Sequence, residues 1–355
     1  MSNPWAQWLN RYDTDPFVLY RKQGWDSFVN TGPRPAFDAL SRTEMAALSS
    51  DELEDYNHAR RVWNANLPTV KTQQVIAAFG IIDQVMSSNH RDGDKLRPSA
   101  VIDALPALGK TTTAAQYAKE FHRKQYRRYG PATSEGHQRL PVMFVSLSAG
   151  ITLKGLNQKM LEFYGHPAAA RASRTQLGSL AVDCVISCAT RLIVIDDLHF
   201  IDFTHRNGLE VSNHLKWLAN EMPATFIFVG VGLKEKNFFN EGLYDEDAAY
   251  AQTGRRATPC PIVPFDIRSD AGFRAWVELL GLLEGHLKLA DARAGMLTDH
   301  AQTLHDRTQG RIGSLTSLID RLCHLAIVSG AETINEKIIA RAVTDNAAQN
   351  GSATA

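Results

Sequence analysis

Asp103-Ala104-Leu105-Pro106-Ala107-Leu108-Gly109-Lys110-Thr111-Thr112 decides how this 355-residue chain is read. It follows a short apolar run, Ala100-Val101-Ile102, that reads as a strand, and it opens a helical pattern from Thr111 to Tyr126. A strand, a tight loop and a helix in that order make a phosphate-binding loop. The turn wraps backbone N–H groups around phosphates, the helix N-terminus adds partial positive charge, Lys110 reaches the β and γ oxygens, and the Thr111 hydroxyl ligates Mg²⁺. On this reading Ala104, Leu105, Pro106, Ala107, Leu108, Gly109, Lys110, Thr111 and Thr112 cradle the nucleotide. One position departs from the pattern: the leading glycine of GxxxxGK[ST] falls on Ala104, whose Cβ makes positive φ costly. The loop is serviceable if Ala104 stays at negative φ; otherwise affinity or turnover suffers.

A second element fits the first. Arg191-Leu192-Ile193-Val194-Ile195-Asp196-Asp197-Leu198-His199 is an apolar strand ending in two carboxylates. Beside a phosphate loop, Asp196 holds Mg²⁺ through water, and Asp197 orients or deprotonates the attacking water. Helix capping explains one such acid more easily than two. Aspartate at the second position is one methylene shorter than the usual glutamate, which predicts slow hydrolysis, suited to a timer.

Around these motifs the chain alternates apolar runs and helical patterns. Val142–Val145, Leu192–Ile195, Thr225–Val229 and Pro261–Phe265 read as strands, with helices between them, including one from Gly208 to Glu221. Continuous apolar strands alternating with helices predict an α/β unit with a parallel sheet covered on both faces. An amphipathic helix from Thr72 to Ser87 leads into it. Past Asp266 the strands stop. Ala271–Leu283, Ala294–Thr308, Ser314–Ser329 and Glu332–Asn346 read as the helices of a second, all-helical unit. Residues 1–69, with Trp5, Trp8, Phe17, Tyr20, Trp25 and Phe28, read as a packed helical appendage. The divisions are therefore 1–69, 70–266 for the nucleotide-binding core, 267–346 for the helical unit, and a small polar, disordered tail at 347–355.

Composition narrows the function. The 38 Lys and Arg cancel the 38 Asp and Glu, so nucleic-acid contact requires a local basic patch, because the molecule as a whole supplies no attractive field. No stretch resembles a signal peptide or membrane span, which predicts a cytoplasmic protein without membrane contact. Cys184, Cys188, Cys260 and Cys323 lack paired CxxC spacing and read as buried free thiols.

These residues, in this order, resemble an AAA+ ATPase over about residues 70 to 345, which implies a P-loop AAA+ core with a helical lid. The strand Thr225–Val229 ends at Gly230-Val231-Gly232, where the family often has a polar sensor residue and this chain has none. Gly254-Arg255-Arg256 lies before the last strand, where the family presents an arginine finger to a neighbouring subunit. The resemblance thus gives Arg255 and Arg256 a catalytic role in a homo-oligomer, against the alternative of a surface arginine pair. In the lid, Gly310-Arg311-Ile312-Gly313 stands where a second sensor arginine is expected. The usual G-x-x-R spacing falls on Gly313, which leaves Arg311 as a weak substitute for nucleotide contact. More narrowly, three features are similar to the TniB/TnsC group of transposition regulators: Tyr56-Asn57-His58-Ala59-Arg60-Arg61-Val62-Trp63-Asn64-Ala65-Asn66-Leu67, the Asp-Asp-Leu-His motif and the Gly-Arg-Ile-Gly turn. That likeness implies an ATP-dependent ring or helical filament on double-stranded DNA of any sequence, one that marks a target and recruits or activates a transposase or other recombination partner.

Contact with the DNA backbone needs cations near phosphates. Family DNA-facing residues lie after the second core strand, here Ser148 to Gly155, which selects Thr152 and Lys154. The run Lys119–Tyr129 carries five basic side chains against one acid and offers Arg127 and Arg128. It also reads as a solvated helix end whose cations complement the dipole. Two competing readings use the same core: a nucleotide-switched signalling or scaffold ATPase whose partner docks on the aromatic N-terminal region, and a helicase-loader or initiator relative. No winged-helix segment follows the lid, which counts against an initiator.

Overall fold

Five strands, β1 (Ser99–Asp103), β2 (Val142–Ser146), β3 (Leu192–Asp196), β4 (Thr225–Gly230) and β5 (Ala257–Pro259), form one parallel sheet in the order β2-β3-β4-β1-β5. The computed structural model describes residues 3–90, 97–201, 206–234, 257–345 and 347. β3 is buried along its whole length, and β4 likewise, as expected for central strands with helices on both faces.

The helices are α1 (Pro4–Tyr12), α2 (Lys22–Asn30), α3 (Arg42–Ala46), α4 (Ser50–Ala65), α5 (Gln73–Ser88), α6 (Lys110–Tyr129), α7 (Leu153–Tyr164), α8 (Arg174–Ser187), α9 (Arg206–Glu221), α10 (Asp270–Glu284), α11 (Ala301–Thr308), α12 (Ile312–Val328) and α13 (Glu336–Arg341). Local chemistry sets several of their starts. Ser49 forms a capping box with Glu52 before α4, and the Thr72 hydroxyl accepts from Val75 N–H to start α5.

Three sequence expectations are corrected. The last strand is Ala257–Pro259, not Pro261–Phe265: Pro261 and Pro264 have no N–H to give a ladder, whereas Cys260 N–H reaches Val101 O at 2.7 Å. The expected helix from Ala294 is regular only from Ala301. Gly295 sits at φ 94, and the Glu284 carboxylate accepts the N–H groups of Gly295 and Leu297 at 2.9 and 2.7 Å, fixing a turn instead. The helix expected from Glu332 shrinks to α13, because Glu332 is buried at φ 56 and Asn335 caps the start. Of the cysteines, Cys260 and Cys323 are buried while Cys184 and Cys188 are only half-buried; all four are free. The expected tail lies outside the described residues except for residue 347.

Apolar burial falls into two clusters, one around the sheet and one among α10 to α13. The N-terminal segment joins both. Trp25 of α2 is fully buried over β2, stacked on Phe144 with ring centroids 5.7 Å apart, and its Nε1 donates to His122 Nδ1 at 3.0 Å. Burial pushes the His122 imidazole down to about 4, so it stays neutral and can accept that bond. At the other end, α4 docks on the helical unit. The Arg60 guanidinium, 1% exposed, donates to Glu332 at 2.7 Å; Trp63 Nε1 donates to His286 O at 2.8 Å; and Lys288 N–H donates to Asn64 Oδ1 at 2.8 Å. The family-like segment from Tyr56 to Leu67 is therefore a structural clamp. Breaking a buried ion pair of this kind typically costs about 3–5 kcal/mol.

Candidate active site

β1 delivers the loop 104–109 to the C-terminal edge of the sheet, and α6 leaves from it. The left-handed positions are Ala107 (φ 61) and Gly109 (φ 78); Ala104 is not among the positive-φ residues. Ala104 is buried and continues the ladder, its N–H reaching Gly230 O at 3.3 Å. The missing glycine therefore costs the loop nothing at that position. Lys110 Nζ donates to Leu105 O at 2.8 Å across the loop. Burial lowers its ammonium pKa, and the charges of Asp196, Asp103 and Asp197 oppose that shift.

Asp196 ends β3 at 2% exposure. Its Oδ1 accepts Asp197 N–H at 2.8 Å, while its buried Oδ2 finds no hydrogen-bond partner among the described residues. Burial first, and the charge of Asp197 second, push this carboxyl up to about 6. The Asp197 N–H, the Thr111 hydroxyl and Lys110 oppose the shift. A buried, unpartnered carboxylate oxygen beside a hydroxyl and a phosphate loop is the donor set a hard divalent cation takes. Thr111 and Asp196 fit Mg²⁺. Asp197 turns left-handed (φ 59, ψ 29), a conformation aspartate tolerates better than most residues, which swings its carboxylate toward β2. There the Ser146 hydroxyl donates to Asp197 Oδ2 at 2.7 Å.

The sequence reading missed Ser146, although a lone polar residue closing an apolar strand was a visible signal. It also missed Tyr20. The Tyr20 ring lies 5.7 Å from Phe144, on the face of β2 that carries Ser146 two residues on, and its hydroxyl feels both Asp196 and Asp197.

The lid meets the loop directly. Gly313 N–H donates to Ala107 O at 2.7 Å, and a Cβ at Gly313 would lie only 2.7 Å from that same oxygen. The position that would carry the family's sensor arginine is thus closed to any side chain. Arg311 stands at the N-cap of α12 instead, with its buried Nε unpartnered among the described residues. Beside Gly109 and Thr112 an apolar slot of about 240 Å³ opens between Val70, Leu108, Ile262, Phe265 and Ile312.

The four residues selected for DNA contact are not brought together. Thr152 caps α7 and accepts Gly155 N–H at 3.2 Å, and exposed Lys154 follows it, both at the C-terminal edge of the sheet. Arg127 and Arg128 end α6, which runs 20 residues, roughly 30 Å, to the opposite edge. The basic run itself divides. Lys119 and Arg123 donate to the carbonyls that end α2, Arg123 Nη2 reaching Val29 O at 2.6 Å, and only its later members stay open. Arg255 and Arg256 lie outside the described residues.

Residues 94–234 match the family model of the AAA domain. Among solved structures the chain is similar to the Aeropyrum pernix ORC1 protein, solved in complex with DNA (12% identity, TM-score 0.59), covering 82% of this chain and 69% of that one. It is also similar to the Aeropyrum pernix ORC2 protein, solved as ADPNP–ADP complexes (12% identity, TM-score 0.55), covering 81% and 69%. No curated protein matches the chain. Among the described residues no helix is long and apolar enough to cross a membrane. The parallel sheet, the loop opening α6, the paired acids ending β3 and these likenesses together make the fold that of the P-loop AAA+ ATPases.

Proposed function

We propose that this protein is an ATP-dependent, double-stranded-DNA-binding AAA+ regulator that oligomerises on target DNA and recruits or activates a transposase, in the manner of the TniB/TnsC group. The observation that carries the nucleotide half is the convergence at one sheet edge of Lys110, Thr111 and the unpartnered Asp196 oxygen, with Gly313 bonded to the loop. The DNA half is supported by the TniB/TnsC-like segments and by Thr152 and Lys154 on an exposed turn.

In this reading the loop N–H groups and the N-terminus of α6 receive the phosphates, and Lys110 exchanges the Leu105 carbonyl for a phosphate oxygen. The base enters the apolar slot beside Ile312. Asp196 and Thr111 would hold Mg²⁺, which would supply positive charge to offset the negative charge that develops on the phosphates. Asp197, held by Ser146, accepts the proton of the attacking water. Arg255 and Arg256 serve the γ-phosphate of a neighbouring subunit. The Thr152 hydroxyl still has its proton to donate to a phosphate, and Lys154 supplies charge. The competing scaffold reading draws less support, because Trp5, Trp8, Phe37 and Tyr56 pack edge-on and tilted against one another, with centroids 4.8–5.3 Å apart for the contacts of Trp5 and Trp8.

The test is binding of a fluorescent random-sequence duplex with ATP, ADP or no nucleotide across a salt series, with Lys110→Ala as control. ATP-dependent, salt-sensitive binding that Lys110→Ala abolishes is the expected result. Absence of binding in every nucleotide state overturns the DNA reading and favours a protein partner.

A further inference from the structure

All strands of a parallel sheet begin at the same edge, and in this chain an arginine lies within three residues ahead of three of them. Arg139 precedes β2, Arg191 precedes β3 and Arg97 precedes β1. In the sheet order β2-β3-β4-β1 these three form a row spanning three strand spacings, roughly 14 Å. Arg127 and Arg128, delivered by the end of α6, join them on the wall of a cleft of about 930 Å³.

We infer that this N-terminal edge is a second phosphate-binding surface, one that takes the sugar–phosphate backbone of duplex DNA. The inference rests on the DNA-binding reading above and adds a surface at the opposite edge of the sheet from Thr152 and Lys154. Carbonyls fix the row: Arg139 donates to Gly130 O at 3.0 Å and Ala132 O at 3.1 Å, Arg191 to Pro223 O at 3.2 Å, and Arg97 to Met222 O at 3.3 Å. Each guanidinium has five N–H groups, so every member keeps donors to spare.

Among the described residues no carboxylate pairs with any of the five arginines. The two acids on the cleft wall are engaged elsewhere, Glu120 with Lys71 at 2.6 Å and Asp83 with the Tyr117 hydroxyl at 2.7 Å. The guanidiniums instead face one another. Burial lowers the Arg191 pKa, and the charges of Arg97 and Arg139 lower it further. An uncompensated cluster of like charge in a neutral protein is relieved by a polyanion.

A line of rigid forks, rather than a pocket converging on one point, suits successive phosphates. Tyr129, 54% exposed, adds a flat apolar face beside the row, with the guanidiniums of Arg128 and Arg139 at 5.9 and 5.4 Å from its ring centroid.

The test uses the full chain with ATP and follows duplex affinity against salt for wild type, Arg127→Gln/Arg128→Gln, Arg127→Lys/Arg128→Lys and Lys154→Ala. Each lost phosphate contact lowers the salt slope by about 0.9, so the glutamine pair should flatten it by nearly two and weaken binding on the order of tenfold. The lysine pair should restore the slope, and folding should be intact because both side chains are exposed. An unchanged slope in the glutamine pair, with Lys154→Ala still flattening it, overturns the inference and leaves the DNA reading standing; no wild-type binding removes both. Polyglutamate serves as the competing probe. If it binds wild type but not the glutamine pair while the duplex slope is unchanged, the cleft is an acidic-protein site and the inference fails.

Discussion

At the C-terminal edge of the sheet one lysine, Lys110, faces three carboxylates, Asp103, Asp196 and Asp197, whereas at the N-terminal edge Arg97 and Arg139 act on Arg191 and, among the described residues, no carboxylate pairs with any of them. The same strands supply both edges. Excess negative charge around a phosphate loop becomes useful once a divalent cation joins it. Excess positive charge becomes useful only when an anion arrives from outside. A chain with zero net charge thus keeps two opposite local fields apart by the length of α6, and the edges should respond independently to substitution.

The largest expected effect is at Asp197. Asp197→Asn should keep ATP binding and lower hydrolysis by about 10²–10⁴-fold, as for loss of a general base, while the salt slope of DNA binding stays at the wild-type value. Steady-state ATPase rates and duplex anisotropy on the same preparation check both halves.

A smaller effect is set by pH. Asp196 is held up to about 6, above its ordinary value, so it is protonated below that pH and cannot ligate Mg²⁺. Mg²⁺-dependent nucleotide binding should be full above about pH 6 and fall about tenfold per unit below it. Stability without nucleotide runs the opposite way. Between pH 4 and 6 the unfolded carboxyl ionises before the folded one, so stability declines as pH rises through that window. Asp196→Asn should therefore stabilise the fold at pH 7 by on the order of 3 kcal/mol, seen as a higher melting temperature. Calorimetry at pH 4 and pH 7 reads the difference.

The smallest effect sharpens the carboxylate edge itself. Ser146→Ala removes one hydrogen bond of 2.7 Å to Asp197 and should slow hydrolysis by roughly five- to tenfold, about 1–1.5 kcal/mol, with the Km for ATP unchanged. Threonine in its place should restore the rate. An effect on Km would make Ser146 a nucleotide contact instead.

What the sequence disclosed and what it concealed follow from distance along the chain. The loop after β1 and the Asp pair after β3 are local patterns, each a strand with its adjoining turn, and the structure has β1, α6 and β3 at those places. The conformational question at Ala104 was also well posed, and the answer lies three residues on, where Ala107 takes the left-handed turn. The last strand was misread because Pro261–Phe265 is more apolar than Ala257–Pro259, yet its N–H groups go elsewhere, that of Val263 to Gln74 and that of Phe265 to Gly310. The arginine row was illegible for a different reason. Its members are scattered from position 97 to 191, and only the shared direction of parallel strands lines them up. Gly313 looked like a missing arginine, and its meaning appears only with the loop oxygen that lies against it.

Trp25 on the sheet and Arg60 on the helical unit are anchors of one continuous segment, with residues 31–49 between them. Trimming the chain before residue 31 would bare the Phe144 face of β2 and leave His122 without its donor. Trimming through residue 65 would also bury Glu332 without its cation. The first 65 residues therefore act as a cross-brace rather than an attached tail, and the smallest stable unit of this protein begins well ahead of its nucleotide-binding core.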